Sequence, residues 1–146
     1  MMLRGFTGKS VSMALALAVG VYPMVSAASD DPVAEAIIDY MDFATYESGI
    51  ILPAQVDESV FAAATIVDTR DAAQFDAEHI PGAINIEWRQ LPGQLDALPD
   101  GMVILYCNKG SLSAQATFAA RVMGYENVVV LQGGLDEWRN SAAYRP

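Results

Sequence analysis

Met102-Val103-Ile104-Leu105-Tyr106-Cys107-Asn108-Lys109-Gly110-Ser111-Leu112-Ser113 is the stretch on which the reading of this chain turns. Five apolar residues predict a short buried strand, and Asn108 to Gly110 predict a tight turn. Ala114 to Arg121 is helix-prone and follows directly, so the turn opens onto a helix N-terminus. A thiol placed there meets backbone N–H groups and the positive end of the helix dipole, which favour thiolate and attract anions. Cys107 is also the only cysteine in the chain, and a lone cysteine can equally be a small buried hydrophobe. This segment leaves both readings open.

Working outward, short apolar runs alternate with helical patterns. Asp30 or Asp31 can cap a helix with Pro32 at its first position. Val33, Ile37, Ile38 and Met41 then fall at helical spacing and give that helix an apolar face. Strands are predicted at Gly49–Leu52, Ala64–Asp68, Ile84–Ile86, Met102–Tyr106 and Asn127–Leu131. Helical segments are predicted at Pro53–Phe61, Ala72–Phe75 and, in broken form, Leu91–Leu98. Gly124 stops the helix after Cys107, and Gln132-Gly133-Gly134 turns the chain into a final helix carrying Trp138. Such alternation predicts an α/β fold with a parallel sheet covered on both faces. Ligands in these folds bind at the carboxyl ends of the strands, where Asp68 and Cys107 both stand.

The N-terminus reads differently. Arg4 and Lys9 precede an apolar run from Val11 to Val21, then Pro23 and the small-residue pattern Val25-Ser26-Ala27. This is the order of a secretory signal peptide, cleaved after Ala27 or Ala28. The run is shorter than the roughly 20 residues that span a bilayer. The expected organisation is a signal peptide over 1–27, an N-terminal helical extension over 28–48 and a folded domain over 49–146. The protein is expected to be exported, to the periplasm, with no stable membrane association after cleavage.

Beyond residue 27, six basic residues face all 18 acidic ones, a net charge of −12. With no basic stripe, that surface excludes nucleic acid as a partner. One cysteine and one histidine, His79, make no zinc site of ordinary spacing, so no metal is expected. No glycine-rich phosphate fingerprint is present, and Gly133-Gly134 reads as a tight turn. A cysteine with no partner in an oxidising compartment is a liability unless it is buried or used.

Taken together, the motifs resemble a family. Asp68-Thr69-Arg70, Phe75 and His79-Ile80-Pro81-Gly82-Ala83-Ile84-Asn85-Ile86 resemble the first rhodanese signature. Cys107 with Gly110 and Ser113, then Gly124-Tyr125-Glu126-Asn127-Val128, Gly133-Gly134 and Trp138, are similar to the second half of the same domain. The resemblance runs from about Ile51 to Trp138. It implies a three-layer rhodanese-like domain, a central parallel sheet flanked by helices, and a thiosulfate-type sulfurtransferase needing no cofactor. Cys107 would accept the outer sulfur of a small donor such as thiosulfate and pass it from a persulfide to cyanide, a thiol or a thiol-bearing protein. The segment Asn108, Lys109, Gly110, Ser111, Leu112 and Ser113 would bind the donor, its N–H groups forming an anion nest. Asp68 and Arg70 would shape the site, although Arg70 has surface alternatives in Asp71, Asp76 and Glu78. His79 would be a structural residue of its turn.

Two positions depart from the family. Leu112 stands where many members carry an anion-binding arginine, leaving Lys109 as the only cationic side chain of the loop. Glu78 stands where glycine is usual. Two other classes compete with the enzyme: a non-turnover persulfide carrier or protein-docking module, and a phosphatase or arsenate reductase. The last resembles C-x5-R chemistry, and position 113 is serine, which lacks the guanidinium that would grip an oxyanion.

Overall fold

The computed structural model describes residues 31–146, so the signal-peptide expectation for 1–27 lies outside the described residues. Among the described residues, no helix is long and apolar enough to cross a membrane.

The chain runs α1 (Pro32–Phe43), β1 (Ile50–Ile51), α2 (Glu58–Ala63), β2 (Thr65–Asp68), α3 (Ala72–Ala77), β3 (Ile84–Asn85), β4 (Val103–Tyr106), α4 (Ser111–Val122), β5 (Val128–Leu131) and α5 (Gly134–Ser141). The five strands form one parallel sheet in the order β1-β5-β4-β2-β3. Alternate side chains along each strand feed two separate cores. Ile66, Ile104, Tyr106 and Leu131 pack on one face with Leu135 and Trp138, against α2, α3 and α5. Val67, Val103, Leu105 and Val128 pack on the other with Ala116 and Ala120 of α4 and with Leu91 and Leu95. The expected α/β three-layer class is what the structure has.

This topology makes the crevice. β2 and β4 are neighbours in register, Asp68 beside Tyr106. After β2 the chain leaves through α3 on one face, and after β4 it leaves through α4 on the other. The two departing chains diverge, and a cleft opens at the shared carboxyl end.

One local expectation is corrected. Pro53–Phe61 is not one helix. The side-chain carbonyl of Gln55 accepts the N–H of Leu52 at 2.8 Å, closing a 3₁₀ turn over Pro53–Gln55. Asp57 then caps a separate α2 by accepting from the Val60 N–H at 2.9 Å. The apolar face expected on α1 is present, but the core does not cover it. Asp31 caps the helix as its sequence implies, but Val33, Ile38 and Met41 stay exposed. α1 rests on α4 through an edge-to-face contact of Tyr40 with Phe118 and the Arg121 guanidinium over the Tyr40 ring. Periodicity reported the helix but not how much of its stripe finds a partner.

Candidate active site

Cys107 is the first residue beyond β4, and its side chain is almost wholly buried. The Gly110 N–H donates to its Sγ at 3.2 Å, and the buried Ser113 hydroxyl lies 3.6 Å from the same sulfur. Ser113 is held in turn by the Gly110 carbonyl, 3.1 Å from its Oγ. Gly110 has φ +92°, a left-handed conformation that L side chains adopt at a cost. That conformation turns the chain into α4 with its N–H groups facing the thiol. Burial pushes the thiol pKa up. The amide and hydroxyl of Ser113 and the amides of Leu112 and Lys109 outweigh it, and Cys107 ends below the ordinary thiol value. The positive end of the twelve-residue α4 acts in the same direction.

The loop is fixed from behind by α5. The Leu135 N–H donates to the Cys107 carbonyl at 2.8 Å, and the Asp136 N–H donates to the Asn108 carbonyl at 3.0 Å. With their carbonyls tied to a helix N-terminus, the loop peptides are free to present N–H groups to the sulfur. This contact requires Gly134. A Cβ there would stand 2.3 Å from the Cys107 carbonyl oxygen, at a left-handed φ of +59°. The Gly133-Gly134 pair is therefore a close approach to the thiol loop as well as a turn.

Asp68 and Arg70 are built into the wall. The Arg70 Nε donates to Asp68 Oδ1 at 2.9 Å and its Nη2 to Oδ2 at 2.6 Å, with both side chains buried. Nη2 also donates to the Glu78 carbonyl, and Nη1 to the Asn108 Oδ1 at 2.9 Å. The guanidinium lies over the Tyr106 ring, 5.8 Å from its centre. Of the surface alternatives for Arg70, only Glu78 touches it, and through its backbone carbonyl. With its donors engaged inside the fold, Arg70 joins β2, the thiol loop and the end of α3. Asn108, expected to bind substrate, has its side chain spent on Arg70 and, through Nδ2, on Gln74.

His79 stacks on Phe75 with ring centres 4.0 Å apart, and its Nδ1 lies 2.9 Å from the Phe75 carbonyl. Glu78 tolerates the place of a glycine because its backbone is extended. Its carboxylate pairs with Arg139 of α5.

A crevice of about 400 Å³ opens over the thiol, lined by Thr69, Arg70, Cys107, Asn108, Lys109, Ser111 and Leu112 from the expected segments. Ser113 and Gly110, also in the expected segment, are buried and do not line it. Trp88, Arg89 and Glu87 line the same crevice and were not expected there. They reach it through backbone pairing: the Ile86 N–H donates to the Asp68 carbonyl and the Trp88 N–H to the Thr69 carbonyl, each at 3.0 Å. Nothing in their own sequence carries that signal; only the register of β2 with β3 does. A cleft of about 580 Å³ between α1 and the end of α4 is larger, but no thiol faces it.

The family profile of the rhodanese-like domain matches residues 52–141. The chain belongs to the rhodanese-like family. Among curated relatives of this rhodanese-like chain, thiosulfate sulfurtransferase PspE of Escherichia coli is 40% identical over 72 residues, covering 47% of this chain and 69% of PspE. The adenylyltransferase and sulfurtransferase UBA4 of Candida albicans is 35% identical over 82 residues, or 50% of this chain. This chain spans only 19% of the length of UBA4. Among solved structures, the human single domain sulfurtransferase TSTD1 superposes with a TM-score of 0.54 at 27% identity, covering 62% of this chain and 95% of that one.

Proposed function

We propose that this protein is a sulfurtransferase that moves a sulfane sulfur from a donor such as thiosulfate to a thiophilic acceptor, cyanide or a thiol, through a persulfide on Cys107. The observation that carries this reading is the single thiol of the chain, set among the loop amides and lowered in pKa by them. The family and the sulfurtransferases among its relatives support it. The Cys107 thiolate attacks the outer sulfur of thiosulfate. A sulfur–sulfur bond forms at Cys107, the original one in the donor breaks, and its electron pair leaves on sulfite. Charge balances without a proton, so a preformed thiolate needs no base, and His79 is engaged away from the sulfur. The acceptor then attacks the terminal sulfur, the new bond forms, and the Cys107 thiolate is returned. The nest of N–H groups that holds the thiolate suits the persulfide anion as well.

We also infer export to the periplasm, on the composition of residues 1–27, and a thiol-bearing protein as one acceptor, on the open mouth of the crevice.

Steady-state thiocyanate formation from thiosulfate and cyanide tests the enzyme reading. The purified wild-type protein is expected to turn over many times, and Cys107→Ser to fold and produce none. Loading of Cys107 without turnover would mark a carrier instead. Thiocyanate production by Cys107→Ser at the wild-type rate would refute the assignment.

A further inference from the structure

Leu112 leaves the thiol loop without an arginine, and Arg70 is spent within the wall. The crevice nevertheless contains a second guanidinium. Arg89 lines the crevice, carried there by the pairing of the Ile86–Trp88 backbone with Asp68 and Thr69.

Its surroundings orient it. One Glu87 oxygen accepts from the Arg89 backbone N–H at 3.1 Å, and the other accepts from Arg89 Nε at 2.9 Å. Both oxygens of one carboxylate therefore grip one residue. The Glu87 side chain is 18% exposed and the Arg89 side chain 73%, so the carboxylate sits down in the rim while the guanidinium projects over it. Nη1 and Nη2 of Arg89 have no protein partner among the described residues. Two terminal nitrogens side by side make the planar fork that matches two oxygens of a carboxylate-, phosphate- or sulfonate-like group. Lys109, a further cation of the crevice, is exposed and has no partner to aim it among the described residues. The lining also includes Trp88 and Leu112, neither of whose side chains can accept a hydrogen bond from the guanidinium.

We propose that Arg89, aligned by Glu87, holds the oxyanion end of the sulfur donor while its outer sulfur faces Cys107, in place of the arginine that the loop lacks. This deepens the sulfurtransferase reading and rests on it. Glu87 is then a positioning residue. It also offsets the charge of Arg89, so recognition depends on the geometry of the fork more than on net attraction.

The test is the first half-reaction in isolation: wild type, Arg89→Gln and Arg89→Lys are mixed with increasing thiosulfate, quenched in acid, and the sulfur added to Cys107 is followed by intact mass. The rate against concentration gives an apparent Kd and a limiting rate. Arg89→Gln is expected to raise the Kd roughly fivefold to tenfold, the loss of one charge-assisted contact, and to leave the limiting rate within about twofold. Arg89→Lys, which keeps the charge and loses the fork, is expected to fall between. Arg89 is mostly exposed, so all three proteins are expected to share one melting temperature. A Kd for Arg89→Gln equal to that of wild type, with both proteins loading sulfur, would overturn the role of Arg89 alone. A wild-type protein that gains no sulfur from thiosulfate would overturn the sulfurtransferase reading itself and the role of Arg89 with it.

Discussion

At Cys107 two forces oppose one another. Burial favours the neutral thiol, and the donors of Ser113, Leu112, Lys109 and Gly110 favour the thiolate. The donors win, because five groups from four residues converge on one atom and α4 adds its dipole. The rate of iodoacetamide alkylation against pH is therefore expected to inflect below the free-thiol value of about 8.5. Ser113→Ala removes one donor from a buried site and is expected to move the inflection upward, toward that value. The same asymmetry couples to stability. Between the lowered native pKa and the unfolded value near 8.5, the native state binds fewer protons than the unfolded one. Stability therefore rises with pH across that window, is complete above it, and is lost as pH falls through the native pKa. Urea unfolding of wild type and Cys107→Ser at several pH values checks the sign, since the serine variant is expected to lack that slope. Cys107 was legible in the sequence because its neighbours are local: a strand before it, a turn and a helix after it. The Asp68–Arg70 pair was legible only as an element shaping the site. Its links to Asn108 and the Glu78 carbonyl join residues up to 38 positions apart.

Among the elements, α5 does what its sequence does not announce. Its first amides hold the carbonyls of Cys107 and Asn108, and Gly134 is the point of closest approach. Gly82 is the natural control: its φ is +80°, yet a Cβ there would meet nothing within 4 Å. Gly82→Ala is expected to cost only the left-handed backbone, about 1–2 kcal/mol. Gly134→Ala adds a collision with backbone to that cost. It is expected to destabilise by a further ~1–3 kcal/mol and to raise the alkylation inflection as the loop is pushed off its helix. Denaturant unfolding of both variants compares them, and equal losses would remove α5 from the support of the thiol. The strands were found to within a residue or two because four apolar residues between turn signals have few alternatives. The segment Pro53–Phe61 was misread because its break lies in two side-chain caps, Gln55 to Leu52 and Asp57 to Val60, not in any helix-breaking residue between them.

Across the molecule, the function rests on one consequence of topology. The chain leaves β2 and β4 toward opposite faces, and the cleft between them collects residues from four separate stretches of sequence: the end of β2, the start of α3, the segment after β3 and the thiol loop. The first and last of these were legible, since a family resemblance and a strand–turn–helix pattern both point to them. Trp88 and Arg89 were not, because they enter the site through strand register, which sequence pattern leaves open. Likewise, the surplus of acidic residues argues against nucleic acid as a partner but says nothing of how cations are placed within the crevice. The whole scheme turns on whether sulfur resides on Cys107 during transfer. Peptide mapping by mass spectrometry after incubation of the full chain with thiosulfate, before and after cyanide, asks this directly. The predicted result is one added sulfur on the peptide containing Cys107, removed by cyanide with one equivalent of thiocyanate released. Thiocyanate formed in turnover while the Cys107 peptide never carries sulfur would contradict it.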